Sequence, residues 1–300
     1  YQKRVIIDKN NYSYWISVNN TISANAYLYW PRAFTLNSGE VITTIMCPTE
    51  YGQSFLLDTL NNQHKITASK VALNNWKSQT YYLNEASNSQ GDLRMYGSIS
   101  YNAITNKEVT TDYTFSGMKT DNYLIYKYKL YNQNVIIYRS SLLYLRYAEA
   151  VNKLNKPLLA MAVLKNGLNS TTLFNDKIVP TTEKGSPILP YVNFADVRFN
   201  NNTGIRMRGL GNMNNDTTFF RIPRLATMAD SVLYVDDLIQ KELALETAFE
   251  GNRFHDLMRF ALRRNDPTYL ARIIAEKHGT NKEAILQKLS NVQNWYIKTE

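Results

Sequence analysis

The stretch ELALETAFEGNRFHDLMR, residues 242–259, restricts the fold more than any other part of this 300-residue chain. Glu242, Glu246, Glu250, Arg253 and Asp256 follow one another at steps of four and three residues, so a helix running straight through Gly251 would gather them on one face. Leu238, Leu245 and Phe249 form an adjoining stripe, which puts the charges at the border of a core. Two arrangements satisfy that pattern. One is an acid/base site, in which two carboxylates flank a substrate at roughly 5 to 9 Å. The other is a lattice of paired charge that fixes the register of packed helices, with Glu246 and Glu250 answered by Arg253, Arg259 or Arg139. Catalytic carboxylates ordinarily face each other across a cleft, so the one-helix spacing favours the lattice.

The rest of the chain has two textures. Of 22 tyrosines, 18 precede residue 148, as do three of the four tryptophans. Runs such as RVIID, YSYWISV, AYLYW, VITTIM and YLIYKYKL are rich in β-branched and aromatic residues and are separated by Asn, Ser, Thr and Gly, which predicts short strands and ordered loops over residues 1–138. From Arg139 the pattern turns helical. Leu142, Leu145, Ala148 and Val151 recur at helical spacing, and Pro157 opens a second helical run after a turn at Asn155 and Lys156. Two helices joined so tightly pack antiparallel, as in a tetratricopeptide-like hairpin. Residues 170–230 are rich in Asn, Thr, Gly and Pro and are expected to be an ordered surface excursion. Helices then resume to the end of residues 139–300, the first capped at Asp236 or Asp237 and a later one stopping at Gly279. The fold class expected is therefore mainly α, with irregular regions rich in loops and short strands.

Composition excludes several functions. With 44% hydrophobic and 20% charged residues the chain is globular, and no run of eighteen apolar residues offers a spanning helix. Cys47 is the single cysteine, and His64, His255 and His278 lie far apart, so no metal site and no cofactor is expected. The glycines of GLGNMNN lack the preceding strand and following helix of a phosphate loop. The net charge of +9 is scattered and not gathered into a basic stripe, which argues against nucleic acid and would suit an acidic ligand. Tyr14, Trp15, Tyr29 and Trp30 stand beside Asn19, Asn20, Asn25 and Arg32. Aromatic faces stack on the C–H faces of sugar rings while amide and guanidinium groups bond their hydroxyls, so Tyr14, Trp15, Asn19, Tyr29, Trp30 and Arg32 are the candidate ligand contacts. Core filling is the competing role for each aromatic.

Arg139, Leu145, Tyr147, Ala148, Glu149 and Ala150 spell R-x-x-x-x-x-L-x-Y-A-E-A, and Glu242, Glu246, Glu250, Gly251, Arg253, Asp256, Leu257 and Arg259 spell E-x-x-x-E-x-x-x-E-G-x-R-x-x-D-L-x-R. These motifs, together with GDLRMYG at 91–97, GIRMRGLGN at 204–212 and the terminal NWYI, resemble in type and order the later part of SusD/RagB family proteins, the nutrient-binding lipoproteins of the Bacteroidetes outer membrane. Leu142 and Leu243 stand where that family more often carries a charged residue. The resemblance implies a SusD-like domain with tetratricopeptide-like hairpins and a loop-rich ligand-binding part, here without the N-terminal portion that carries the lipid anchor. It implies a non-catalytic protein of the cell surface that binds an oligosaccharide, or in some members a peptide, and delivers it to a SusC-like TonB-dependent transporter. In that frame Arg139, Glu149, Glu242, Glu246, Glu250, Arg253, Asp256 and Arg259 form a structural lattice. A glycoside hydrolase using Glu246 and Glu250, and a helical scaffold without a small ligand, are the other readings.

Overall fold

The computed structural model describes residues 30–34, 40–46, 68–79, 81–83, 86–88, 91–92, 94–99, 101–102, 107–108, 125, 127–128, 134–184, 194, 196–200, 202–207 and 220–296. In chain order these form a 3-10 turn Trp30–Phe34, strand β1 (Val41–Met46), helix α1 (Lys70–Lys77), strands β2 (Tyr81–Leu83) and β3 (Ala86–Asn88), helix α2 (Arg94–Ser98), strands β4 (Tyr101–Asn102) and β5 (Lys107–Glu108), strand β6 (Asn134–Arg139), and helices α3 (Ser140–Lys153), α4 (Pro157–Lys165), α5 (Ser170–Leu173), α6 (Thr181–Lys184), α7 (Met228–Glu246), α8 (Arg253–Arg264), α9 (Pro267–Ala275) and α10 (Lys282–Leu289). The described part is mainly α. Its strands form three two-stranded antiparallel pairs, β1 with β6, β2 with β3 and β4 with β5.

The longest pair bridges almost a hundred residues of sequence, with Val41 opposite Arg139 and Thr44 opposite Ile136. Strand β6 runs directly into α3: Arg139 ends the strand and is the N-cap residue of the helix, and Ser140 donates its N–H to the Glu40 carbonyl at 2.7 Å. Helix α3 buries Leu142, Leu145, Ala148 and Val151, the stripe its spacing predicts. Helix α4 starts with Pro157 at its first turn and is apolar on nearly every side, with Leu159 to Leu164 all buried, so it must sit inside a layer of other elements. Helices α3 and α4 pack against each other, and α7 lies across both. Val235, Ile239 and Leu243 of α7 complete the principal core with Trp30, Phe34, Ile205, Phe220 and Phe260. Leu142 and Leu243 are both buried in it.

Helix α7 begins nine or ten residues earlier than a cap at Asp236 or Asp237 would have it. Thr227 is its N-cap, accepting from Asp230 N while the Asp230 carboxylate accepts from Thr227 N, a reciprocal capping box that satisfies two otherwise unpaired donors. Asp236 and Asp237 lie inside the helix and instead hold Arg264, with Asp236 also bonded by Lys153. Nor does the helix run through Gly251. It ends at Glu246, and Phe249 and Gly251 both have left-handed backbones, φ 66° and 79°, before α8 begins at Arg253. The α8 to α9 junction follows turn chemistry closely: Asn265 is left-handed at φ 50°, Asp266 caps α9 through Thr268 N, and Pro267 is its first residue. Helix α9 stops at Ala275 and not at Gly279, which opens a 3-10 turn Gly279–Asn281. Leu257, Ala261, Leu270 and Trp295 form a separate core beneath α8 and α9.

Within the excursion, residues 202–206 return to α4. Ile205 N and Arg206 N donate to the Val163 and Leu164 carbonyls at 3.2 and 3.0 Å, extending the helix end with a short backbone pairing. Gly204 makes that approach possible, since a Cβ there would stand 2.2 Å from the Lys165 carbonyl oxygen and 2.5 Å from that of Leu164. Gly204→Ala is therefore expected to destabilise the fold by more than about 2 kcal/mol. Gly251→Ala, which meets no atom within 4 Å and carries only left-handed strain, is expected to lose about 1 kcal/mol. Urea-unfolding midpoints of the two variants check the ranking.

Candidate functional site

The end of α7 holds the chemistry-bearing cluster, and it assembles from segments far apart in sequence. Glu242 and Glu246 leave the last turns of α7 on the same side. Asp92 binds the Arg94 backbone N–H at 2.9 Å as α2 starts, and its carboxylate also takes the Arg94 guanidinium, with Nη2 at 2.5 Å. Arg94 Nη1 then donates to Glu242 Oε1 at 2.7 Å and Glu246 Oε2 at 2.6 Å. Arg206 takes the other Glu242 oxygen at 2.9 Å, reaches Gln79 Oε1 at 3.1 Å and stacks its guanidinium 4.0 Å from the Phe220 ring centre.

Arg139 serves the far side. Nη1 donates to Glu246 Oε1 at 2.9 Å, Nε and Nη2 grip the two Glu250 oxygens at 2.9 and 2.7 Å, and Nη2 also reaches the Glu246 carbonyl at 2.8 Å. Lys127 donates to the Glu246 and Ala248 carbonyls and to Glu250 Oε1 at 3.0, 2.8 and 2.6 Å. These donors answer the negative end of α7, whose last carbonyls have no partner within the helix. Phe34 roofs the group, its ring centre 4.7 Å from Lys127 Nζ and 5.2 Å from Arg139 Cζ. The side chains of Glu242 and Glu246 are completely buried and that of Glu250 is 6% exposed.

A second group lies between α3 and α8. Glu149 accepts from Arg259 Nε at 2.6 Å and from Arg263, while Asp256 accepts from Arg146 at 2.5 Å and from Arg259 at 3.1 Å. Burial raises the Glu149 and Asp256 carboxyls above the usual range despite these arginines. In the α7 group the balance tips the other way for Glu250. Burial pushes its carboxyl up, but Arg139 and Lys127 together hold it below the ordinary value. Burial pushes Lys127 down to about 8 against the pull of Glu250. For Arg94 and Arg139, burial is outweighed by the surrounding carboxylates, which hold both guanidinium groups firmly protonated.

The charged residues singled out in the sequence thus separate into two groups. Arg139, Glu242, Glu246 and Glu250 meet at the end of α7, and Glu149, Asp256 and Arg259 meet between α3 and α8. Arg253 is not the partner of Glu246 or Glu250, because the turn after α7 redirects it to the Gln240 carbonyl at 3.2 Å. Arg259 likewise pairs with Glu149 and Asp256. Asp92, Arg94, Lys127 and Arg206 were absent from the expected lattice. The signal for Arg94 and Arg206 was their setting, L-R-M and I-R-M beside glycine, where an arginine among apolar neighbours needs a buried carboxylate.

Trp30 is not available to a ligand. It is 0% exposed, meets Phe34 edge to face at 5.2 Å and donates its indole N–H to Ser98 Oγ at 3.0 Å, so it fills the core. Arg32 belongs to the same 3-10 turn. Tyr14, Trp15, Asn19 and Tyr29 lie outside the described residues, as does Cys47. Among the described residues no group of three or more His, Cys, Asp or Glu could hold a metal ion, and no helix is long and apolar enough to cross a membrane. No family model, curated protein or solved structure matches this chain.

Truncating Glu246 takes one buried partner from each of Arg94 and Arg139, so Glu246→Ala is expected to reduce unfolding free energy by about 3 kcal/mol, read by denaturant titration. The Glu250 carboxyl is more acidic folded than unfolded, so its stabilisation is complete above the unfolded pKa and is lost as pH falls through the folded one. The stability gap between the wild type and Glu250→Gln should therefore shrink on acidification through the carboxylate range. Equilibrium unfolding of both proteins at a series of pH values measures it.

Proposed function

We propose that this chain is the later portion of a SusD/RagB-like surface protein that binds an oligomeric nutrient, a glycan before a peptide, without transforming it. The observation that carries the reading is the convergence of its resembling segments. Arg94 from 91–97, Arg139 from 139–150, Arg206 from 204–212 and Glu242, Glu246 and Glu250 from 242–259 are joined by ion pairs of 2.6 to 2.9 Å. Four stretches selected for sequence likeness meet in one buried network, which is what architectural motifs do. The carboxylates a hydrolase would need are each already bonded to arginine or lysine and closed to solvent.

In this reading the hairpin of α3 and α4 is tetratricopeptide-like and belongs to the face that meets a SusC-like TonB-dependent transporter at the outer membrane, with a lipid anchor supplied by an N-terminal portion. Ligand contacts are left to Tyr14, Trp15, Asn19, Tyr29 and Arg32, with Trp30 withdrawn to the core. The test is calorimetry against panels of neutral and acidic oligosaccharides and of peptides, with reducing ends and free amines assayed on the same mixtures. Saturable heat with an oligosaccharide, weakened at least about tenfold by Trp15→Ala and without product, is the expected result. Product release by the unaltered chain, or the absence of saturable heat with every member of the panels, would overturn the reading.

A further inference from the structure

The turn that sends Glu250 into the buried network presents a different surface on its other side. Val71 and Trp76 of α1, Phe249 of the turn and Ile273 of α9 wall a cavity of about 260 Å³, and Arg253 and Lys277 complete it. That is just under the roughly 300–1,000 Å³ of ordinary ligand pockets. It suits a single small molecule and not an oligomer. Phe249 is half-buried at the apolar wall, and the buried Trp76 ring backs it at 5.8 Å, centre to centre.

Against that wall stand two cations without an ion-pair partner among the described residues. Arg253, half-buried, donates to the Gln240 carbonyl, and Asp256 one turn along α8 is bonded to Arg146 and Arg259 instead. Lys277 lies at the exposed rim beyond the end of α9. Burial lowers Arg253 to about 10 against the pull of Tyr269 and Asp256, and burial together with the Arg253 charge lowers Lys277, so the two cations act on each other. The carbonyls at the end of α7 do not offset their charge. Those of Glu246, Ala248 and Phe249 accept from Lys127, Arg139 and Tyr128 on the opposite side.

We propose that this cavity binds a small carboxylate with a flat apolar body, the carboxylate between Arg253 and Lys277 and the body against Phe249, Val71 and Ile273. A guanidinium and an ammonium together match one carboxylate, and the aromatic wall gains only from a ligand that carries apolar surface with the charge. Such a ligand ties α1 to α8 and α9, so it stabilises the fold by mass action. The proposal stands without the assignment of an oligomeric nutrient.

The experiment uses the whole chain with benzoate as probe, benzamide as its uncharged isostere and inorganic phosphate as a bare anion. Binding is read from the methyl resonances of Ile273 and Val71 and from the thermal midpoint. Benzoate should shift those resonances saturably and raise the midpoint, with benzamide and phosphate each weaker by about tenfold or more. Lys277→Gln alters an exposed side chain and should weaken benzoate by about tenfold at unchanged stability, as should Arg253→Gln. Equal binding of benzamide would leave an apolar hole without anion selectivity, and equal binding of phosphate a bare anion site. Either result, or the absence of a saturable benzoate shift, or full affinity in Lys277→Gln, would overturn the proposal.

Discussion

Charge removed from water at the end of α7 governs this structure. An ion pair at 4 Å contributes about 4 kcal/mol at an effective dielectric of about 20, while dehydrating each ion costs several kcal/mol. A lone pair would barely break even. The network avoids that loss by using every carboxylate oxygen: both of Glu242, both of Glu246 and both of Glu250 receive a guanidinium or ammonium donor. The donors come from α2, the end of β6, the segment 202–207 that returns to α4, and Lys127. Omitting α2, the end of β6 or the segment 202–207 leaves at least one buried carboxylate oxygen without its donor. The network therefore specifies one arrangement of the chain more than it adds net stability.

Legibility in the sequence followed the range of the interaction. The buried stripe of α3, the Pro157 start of α4 and the strand VITTIM are set by neighbours within a few residues, and each is found where spacing and composition put it. The four-residue spacing of Glu242 and Glu246 was likewise visible. What answers them was not. Arg94 lies almost 150 residues upstream, and only the oddity of an arginine between Leu93 and Met95 pointed to it. The start of α7 was misplaced for a related reason: Asp236 and Asp237 look like caps in isolation, but Thr227 and Asp230 form the box, and the two aspartates serve Arg264 across the α7 to α8 contact.

Trp30 illustrates how composition alone misleads. A tryptophan beside Tyr29 and Arg32 in a polar, aromatic stretch has the ingredients of a sugar platform. Its burial follows from chemistry located elsewhere in sequence, since Lys127 and Arg139 require a dry aromatic lid to hold their charges against Glu250, and Phe34 with Trp30 supplies it. An aromatic residue that covers a buried ion pair cannot also present its face to solvent.

The same constraint explains why residues 247–252 turn as they do. A straight continuation of α7 would place Glu250 one turn beyond Glu246 on the same helix face. Thr247 folds its hydroxyl back onto the Leu243 carbonyl, ending the helix, and the left-handed backbones of Phe249 and Gly251 reverse the chain. Glu250 then meets Arg139 and Lys127, while Phe249 is brought to the Trp76 ring and Arg253 to the mouth of the cavity. Left-handed strain at Phe249 costs roughly 1–2 kcal/mol, and a buried, fully bonded Glu250 outweighs it. One turn thus directs Glu250 into the buried network and Arg253 to the cavity, where among the described residues it has no carboxylate partner.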